Sequence, residues 1–338
     1  MAFTYRYVTQ SGVFPRNGNS WASAMSLTQF YTDFASVVPG RIYLFEGGST
    51  YTLTADIATS TDGDLADPIA IIGVANGTTN EGNNITADDF AQGSDRPFFD
   101  GGASYKIDVG NTFHIEHIRA ESEVSGVITT ELQGLIHNCY VKNDYGSSSI
   151  RYAVVFENSY SRLIDCEIES PNNRGLLSKA GSLILFSYFH DIENYGIFLA
   201  DATFTLFSIF DTCGRAIHGD SVDNGPGVLN CIFYNCDEGL YVAGSSSGYT
   251  HISCIYSGCA SAVEWAAISN CNFHWKNHMY DNTADWTNVP EEGDAEDLFS
   301  DFFVSTGDPL FNDDAGGDFS TGLGSPCRNV GLQMGLGV

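Results

Sequence analysis

Basic residues are scarce in this chain: Lys and Arg total 14 among 338 residues, against 42 Asp and Glu, giving a net charge of −28. That balance argues against nucleic acid as a partner, because phosphate binding needs a cationic surface to release counterions. Long apolar runs are missing too. Nothing approaches the roughly 18 residues of a membrane span, so no membrane insertion is expected. The N-terminus lacks a basic start followed by an apolar stretch, and no secretory signal is expected in it. No Cys-x-x-Cys pair occurs among the nine cysteines, which removes the usual signature of a structural zinc site. The odd count in a long chain also speaks against a disulfide framework.

What is present is repetition. Seven segments between Ile136 and Phe273 share a Cys or Ser followed two positions on by an apolar residue, and in five of them an apolar residue also stands two positions before it, with His137 and Ser269 in the other two. Their central residues are Cys139, Cys166, Ser187, Ser208, Cys231, Cys254 and Cys271, at intervals of 27, 21, 21, 23, 23 and 17. A second ladder of Val154, Leu176, Ile197, Ile217, Leu240 and Val263 keeps step at intervals of 20 to 23. A short strand cannot bury its apolar edge alone, whereas a stacked copy covers it. Two strands per turn are visible, without intervening helices, and the Leu-x-x-Leu-x-Leu frame of leucine-rich repeats is missing. The expected fold is therefore all-β: a parallel solenoid.

The chain resembles the right-handed parallel β-helix proteins of the pectate-lyase-like group. Tyr7-Val8-Thr9-Gln10-Ser11-Gly12, Gly18-Asn19-Ser20-Trp21-Ala22-Ser23-Ala24 and Pro39-Gly40-Arg41-Ile42-Tyr43-Leu44 are similar to that group's N-terminal cap and first coil. Asp67-Pro68-Ile69-Ala70-Ile71-Ile72-Gly73 is similar to its next strand. Gly307-Asp308-Pro309-Leu310-Phe311, Gly317-Asp318-Phe319 and Gly324-Ser325-Pro326-Cys327 resemble the closing segment after many such helices. The resemblance implies a fold and not a reaction, since the group includes lyases, hydrolases, adhesins and virion spikes. The implied division is a cap and first coil over 1–60, the β-helix over 61–284 and a C-terminal loop and closing segment over 285–338.

Apolar positions Trp21, Ala24, Leu27, Phe30, Tyr31 and Phe34 predict an amphipathic helix over 20–35, with Ser20 as its cap, covering the open end of the solenoid. The polar stretch from Asn76 to Gln92 and the acidic stretch from Asp285 to Phe303 read as loops. Cys139, Cys166, Cys231, Cys254 and Cys271, and a second column of Cys213, Cys236 and Cys259, read as internal ladders of free thiols. The spacing of adjacent coils, about 4.8 Å, also falls within the Cα range of a disulfide.

If those residues point inward, strand alternation turns their neighbours outward. Phe186, Tyr188, Phe207, Ile209, Ile232, Tyr234 and Ile255 would then form one outer apolar face. A patch of that kind marks an interface. Three accounts stand side by side: cover by a loop of the same chain, such as Asp285 to Phe303; lateral packing into a homotrimer; or aromatic platforms for sugar rings. Val155, Leu177, Phe198 and Tyr241, outward on the second ladder, are apolar as well.

For catalysis, the convergent polar group is Asp165, Glu167 and Glu169 on one strand. Residues two apart are separated by roughly 6.5–7 Å, near the range of about 6.5–9.5 Å for the carboxyls of inverting glycosidases. The same carboxylates suit Ca²⁺, although no dedicated loop supports it, and no other cofactor is implied. Ile217-His218-Gly219-Asp220 lacks the partner motifs of the polygalacturonase-like enzymes, and Arg162, Arg174 and Lys179 fall in no lyase motif. His114-Ile-Glu-His117 and His274-Trp-Lys-Asn-His278 are weak metal pairs; alternation sets the first two rings on opposite faces, so no metal site is assigned. The expectation is a structural or adhesive β-helix of a virion or cell surface, self-associating and packed with other surface proteins, with a surface polysaccharide as a further partner. The alternative is a polysaccharide lyase or glycoside hydrolase of the same fold.

Overall fold

The computed structural model describes residues 3–59, 61–146, 150–200, 202–219, 227–243, 250–265, 273–275, 277–287, 303–305, 308–314, 317–321 and 325–329. Structural statements concern these residues. The chain forms two compact units, Met1–Asn173 and Arg174–Val338. Each is built of short strands that pair in parallel with the equivalent strand one coil away. The fold is a parallel β-helix, as the ladders imply.

Each coil carries three strands, not two. In the first unit, one row runs Thr4–Val8, Arg41–Glu46, Ile69–Val74, Phe113–Glu116, Leu135–His137 and Arg162–Ile164. A second row runs Thr50–Thr52, Phe98–Asp100, Arg119–Ser122, Tyr140–Asn143 and Glu167–Ser170. A third holds Ile57–Ala58, Ile107–Val109, Ile128–Thr130 and Tyr152–Phe156. The second unit repeats the plan. Its first row runs from Ser182–Leu185 through Thr203–Leu206, Gly227–Leu229 and Thr250–Ile252 to Phe273–Trp275. Its other two rows share the long strands Tyr188–Leu199 and Ile209–Gly219.

The extra strand was hidden by a corner. Asn138 and Asp165 in the first unit, and Phe186, Phe207, Asn230 and Ser253 in the second, all have φ between 49° and 56°. A left-handed residue interrupts the alternation of a strand, so each of the six described segments, from Cys139 to Cys254, is two strands meeting at a bend. The residue before the corner is consequently half-buried, as at Ile164 and Leu229, while its predecessor, Leu163 or Val228, is fully buried. After the corner, Cys139 and Val141, or Cys231 and Phe233, point inward as expected.

The corner also explains the Cys or Ser that follows it. Cys139 and Cys166 donate across the bend to the carbonyls of His137 and Ile164, each at 3.2 Å. In the second unit Ser187, Ser208, Cys231 and Cys254 do the same to Leu185, Leu206, Leu229 and Ile252. The thiols also reach the preceding coil, as Cys254 does to Val228 O at 3.6 Å. Most of these carbonyls already accept a backbone N–H from an adjacent coil, as Ile164 O does from Asn138 N and Leu229 O from Phe207 N, so the bond satisfies the buried thiol or hydroxyl, which unpaired would cost about 1–3 kcal/mol. Every described cysteine is buried and free, whereas Cys271 lies outside the described residues. The second ladder is fully buried, from Val154 in the first unit to Leu176, Ile197, Ile217, Leu240 and Val263 in the second. Beside it Phe189, Phe210, Phe233 and Tyr256 stack at 5.0, 5.2 and 4.5 Å, each pair adding about 0.5–1.5 kcal/mol beyond area burial.

The N-terminal helix is shorter than its apolar spacing predicts. It spans Leu27–Phe34, and Trp21–Ser23 is a separate 3₁₀ turn in which Ser20 makes no capping bond. Ser26 and Gln29 form a reciprocal capping box, a stronger start signal than Ser20. Met25 is held extended against Val8, which blocks an earlier start. Phe30 packs edge-on to Tyr43 and Phe45 at 5.0 and 4.9 Å, closing over the first strands. The Asn76–Gln92 segment is an irregular loop with short 3₁₀ turns. It is pinned by Tyr7 OH, which accepts from Gly82 N at 2.6 Å, and by Trp21 Nε1, which donates to Asn80 O at 3.0 Å.

Candidate functional site

Asp165, Glu167 and Glu169 do not share one strand. Asp165 is the exposed left-handed corner, and only Glu167 and Glu169 lie on Glu167–Ser170. The spacing argument therefore holds for the second pair alone. In the adjacent coil Tyr140 stands opposite Glu167 and Lys142 opposite Glu169. Lys142 Nζ lies 3.0 Å from Glu169 Oε1 and 3.4 Å from Asp144 Oδ1, while Tyr140 OH donates to Glu169 Oε2. Partial burial works to lower the Lys142 pKa, but the hydrogen bond and charge of Glu169, with Asp144, hold it above its ordinary value. Burial, reinforced by Glu169, pushes the Tyr140 phenol far up. Arg119 sits 4.8 Å from the Phe98 ring centre and 5.0 Å from that of Tyr140. Glu169 is thus held by a cation and a phenol, and Arg119 by two rings.

A second polar cluster lies on the first row of the same unit. His137 pairs with Glu116 across adjacent coils, and its Nδ1 lies 3.1 Å from Glu116 Oε2. His114 Nδ1 approaches Glu116 Oε1 at 3.7 Å. His117 joins them because it is itself a left-handed corner, φ 57°; strict alternation would have sent it away. Its ring stacks on Phe90 at 4.8 Å, and Nδ1 lies 3.2 Å from Ala91 O and 3.0 Å from Asn138 Nδ2. Burial lowers the pKa of His117 and of His114, whereas the hydrogen bond with Glu116 raises that of His137. Burial would raise the Glu116 carboxyl, but that same bond and the surrounding imidazoles bring it below its ordinary value. The sequence signal for this cluster was the coil period: Glu116 and His137 are 21 residues apart, as are Cys166 and Ser187, and Ser187 and Ser208, of the inward ladder. Of the other histidine pair, His278 is fully buried and the side chain of His274 lies outside the described residues.

In the second unit, the outer side of the third row carries rings and guanidinium groups. Phe198, His218 and Tyr241 occupy equivalent positions in successive coils, beside a column of Tyr195, Arg215 and Glu238. His218 stacks on Tyr195, Phe198 and Tyr241 at 4.3, 5.2 and 5.0 Å with planes within 14°. Arg174 lies 4.2 Å from the Tyr195 ring centre, and Arg215 lies 3.7 Å from that of Tyr241 while its Nε bonds Glu238. Sequence alternation identified Phe198 and Tyr241 as outward. It missed Arg174, Arg215 and His218, whose charge and polarity disguise their place on the ladder.

The expected apolar face in this unit divides. Phe186 and Phe207 are corners whose rings stack at 5.2 Å, and Phe186 is 42% exposed. Ile209 and Ile232 are only 6% and 7% exposed. They cluster with Phe319, and Tyr188, Tyr234, Ile255 and Phe311 pack around them. The cover is an antiparallel hairpin, Phe311–Asp313 with Asp318–Thr321. It comes from the closing segment; of the stretch from Asp285 to Phe303, residues 288–302 lie outside the described residues.

These features define the class: an all-β protein with a pectate-lyase-like parallel β-helix. No protein-family model matches the chain, and no curated protein matches it. Among solved structures, the crystal structure of pectate lyase Pel9A is similar, with a TM-score of 0.60, 13% identity, and coverage of 86% of this chain and 79% of that one. At that identity the likeness is one of fold. No described helix is long and apolar enough to cross a membrane.

Proposed function

We propose that the chain is a structural or adhesive β-helix of a virion or cell surface that holds a surface polysaccharide on the outer face of its second unit without cleaving it. The observation that carries this reading is the ladder of Arg174, Tyr195, Arg215, His218 and Tyr241. In a chain with 14 basic residues, two guanidinium groups sit over neighbouring rings of one face. The ring faces are stacked against one another, so solvent meets a fence of edges: phenol hydroxyls, guanidinium N–H groups and the Glu238 carboxylate. Such rims recur at the coil spacing of about 4.8 Å, and a linear polymer with regularly placed hydroxyl groups can follow them. Tyr and Arg are also the residues that dominate binding energy at interfaces. The solved neighbour is, by its name, a lyase of pectate, which supports a polysaccharide as the ligand class.

Binding is favoured over cleavage by the state of the acidic strand. An elimination needs a base poised near neutrality, and Lys142 is held in the opposite direction. A hydrolysis needs a free acid and base, and Glu169 is engaged by Lys142 and Tyr140. Self-association, as a homotrimer or with other surface proteins, would use the stacked corner of Phe186 and Phe207, which stands outside the cluster under the hairpin. Affinity electrophoresis through immobilised polysaccharides tests the reading. Retardation that is weakened in Arg215→Ala and in Tyr241→Ala is expected; no retardation by any polysaccharide, or release of products, would overturn it.

A further inference from the structure

We propose that Glu116, His117 and His137 form a binding site for a divalent transition-metal ion of the zinc type on the first unit. One nitrogen of each ring and one Glu116 oxygen lie within 4.8 Å of one another. Two imidazoles and a carboxylate are a donor set that Zn²⁺ accepts, at about 2.0–2.2 Å from each ligand atom. Donors placed tetrahedrally at that distance are roughly 3.3–3.5 Å apart, so Glu116 and His137, at 3.1 Å, already have nearly the required separation. The third ligand must close by roughly 1–1.5 Å to reach that geometry. That adjustment falls to His137, 35% exposed at its side chain, since the His117 ring is packed on Phe90. A water would complete the fourth position.

The setting of His117 is the second observation. Its side chain is nearly buried, 5% exposed, with the ring fixed on Phe90 and Nδ1 turned to the Ala91 carbonyl and the Asn138 amide. Accepting from Asn138 would put the proton on Nε2, whereas donating to Ala91 leaves Nε2 bare. A cation selects the second tautomer. A ring nitrogen bonded to a backbone carbonyl is the usual outer partner of a metal-ligating histidine. Asn138 then keeps its bonds to Gln92 at 2.8 Å and to Arg96. The arrangement is legible nowhere in a single strand: it needs one coil period to bring His137 beside Glu116 and one left-handed corner to bring His117 to both.

The test uses tag-free, full-length protein titrated with ZnCl₂ by calorimetry, with metal content checked on the dialysed complex. One ion per chain is expected, weakened at least tenfold in Glu116→Gln and in His137→Ala, with circular dichroism unchanged. Co²⁺ substitution of the wild type gives an independent readout that survives a misfolded variant. Nitrogen and oxygen ligation without thiolate charge transfer is expected. Absence of stoichiometric binding, binding that both variants retain, or a thiolate band from the cysteine ladders would each overturn the site.

Discussion

The phenol of Tyr234 donates to Asp314 Oδ2 at 2.6 Å, tying a strand of the solenoid to a hairpin 80 residues further along. Phe319 fills the space beside that bond, 5.3 Å from the Tyr234 ring and 5.4 Å from that of Phe311. The hairpin is therefore a lid on the apolar face of Ile209 and Ile232, and the tie is specific in both polarity and shape.

Removing the anchor should expose that face. Phe319→Ala is expected to destabilise the second unit by about 3 kcal/mol, the lower end for truncating a buried aromatic. Proteolysis of the closing segment should accelerate, and light scattering should reveal self-association through the uncovered isoleucines. An unchanged denaturation midpoint with unchanged proteolysis would mean that the hairpin does not cover the face.

The coil period was legible because Cys139 and Cys166, or Cys231 and Cys254, recur at the same buried place after each bend. The corners were not. Asn138, Asp165 and Asn230 are residues that tolerate positive φ, but Phe186 and Phe207 occupy the same position, and no local preference announces them. A period of two was therefore carried through the bends, which merged two strands into one and placed Asp165 on the wrong line. The hairpin was illegible for another reason. Its partner strands lie outside the repeat, so periodicity says nothing about where Phe319 docks.

Corner strain gives a direct test of that geometry. Asn230 has φ 52°, a region that costs about 1–2 kcal/mol for most residues and is open to glycine. Asn230→Gly should leave the unfolding midpoint within about 1 kcal/mol of wild type, whereas Asn230→Val should lose more than that, because a β-branched residue is worst suited to positive φ. Equal effects of the two substitutions would show that the residue is not at a left-handed bend.

Buried thiols make stability fall at alkaline pH. Desolvation raises the Cys231 and Cys236 thiols well above their ordinary value, and pushes Cys327 up to about 12. In the unfolded chain these groups ionise near pH 8.5, but in the folded chain they stay protonated. Their stabilisation is thus complete below about pH 8.5 and is lost as pH rises toward the folded values, by about 1.4 kcal/mol per pH unit for each such thiol. Denaturant midpoints measured from pH 7 to 10 should decline above 8.5, less steeply in Cys231→Ala. A thiol reagent should find the cysteines only after unfolding. Rapid labelling of the native protein would contradict the internal ladder.

Binding and catalysis separate through two pairs of residues in different units. Arg215 lies over the ring of Tyr241 and bonds Glu238, so Arg215→Ala removes a cation–π contact and leaves a carboxylate without its cation. A cation–π contact at a partly exposed site contributes about 0.5–2 kcal/mol, and polysaccharide affinity should fall roughly two- to thirtyfold while the fold persists. On the acidic strand, Lys142 stands opposite Glu169 at 3.0 Å. Glu169→Gln weakens this ion pair and should release Lys142 toward its ordinary pKa. If the strand is structural, the variant will be slightly less stable, equally able to bind polysaccharide and equally unable to cut it, with or without Ca²⁺. Reducing ends or unsaturated products from the wild type that vanish in Glu169→Gln or Glu167→Gln would instead make the strand an active site and the chain an enzyme.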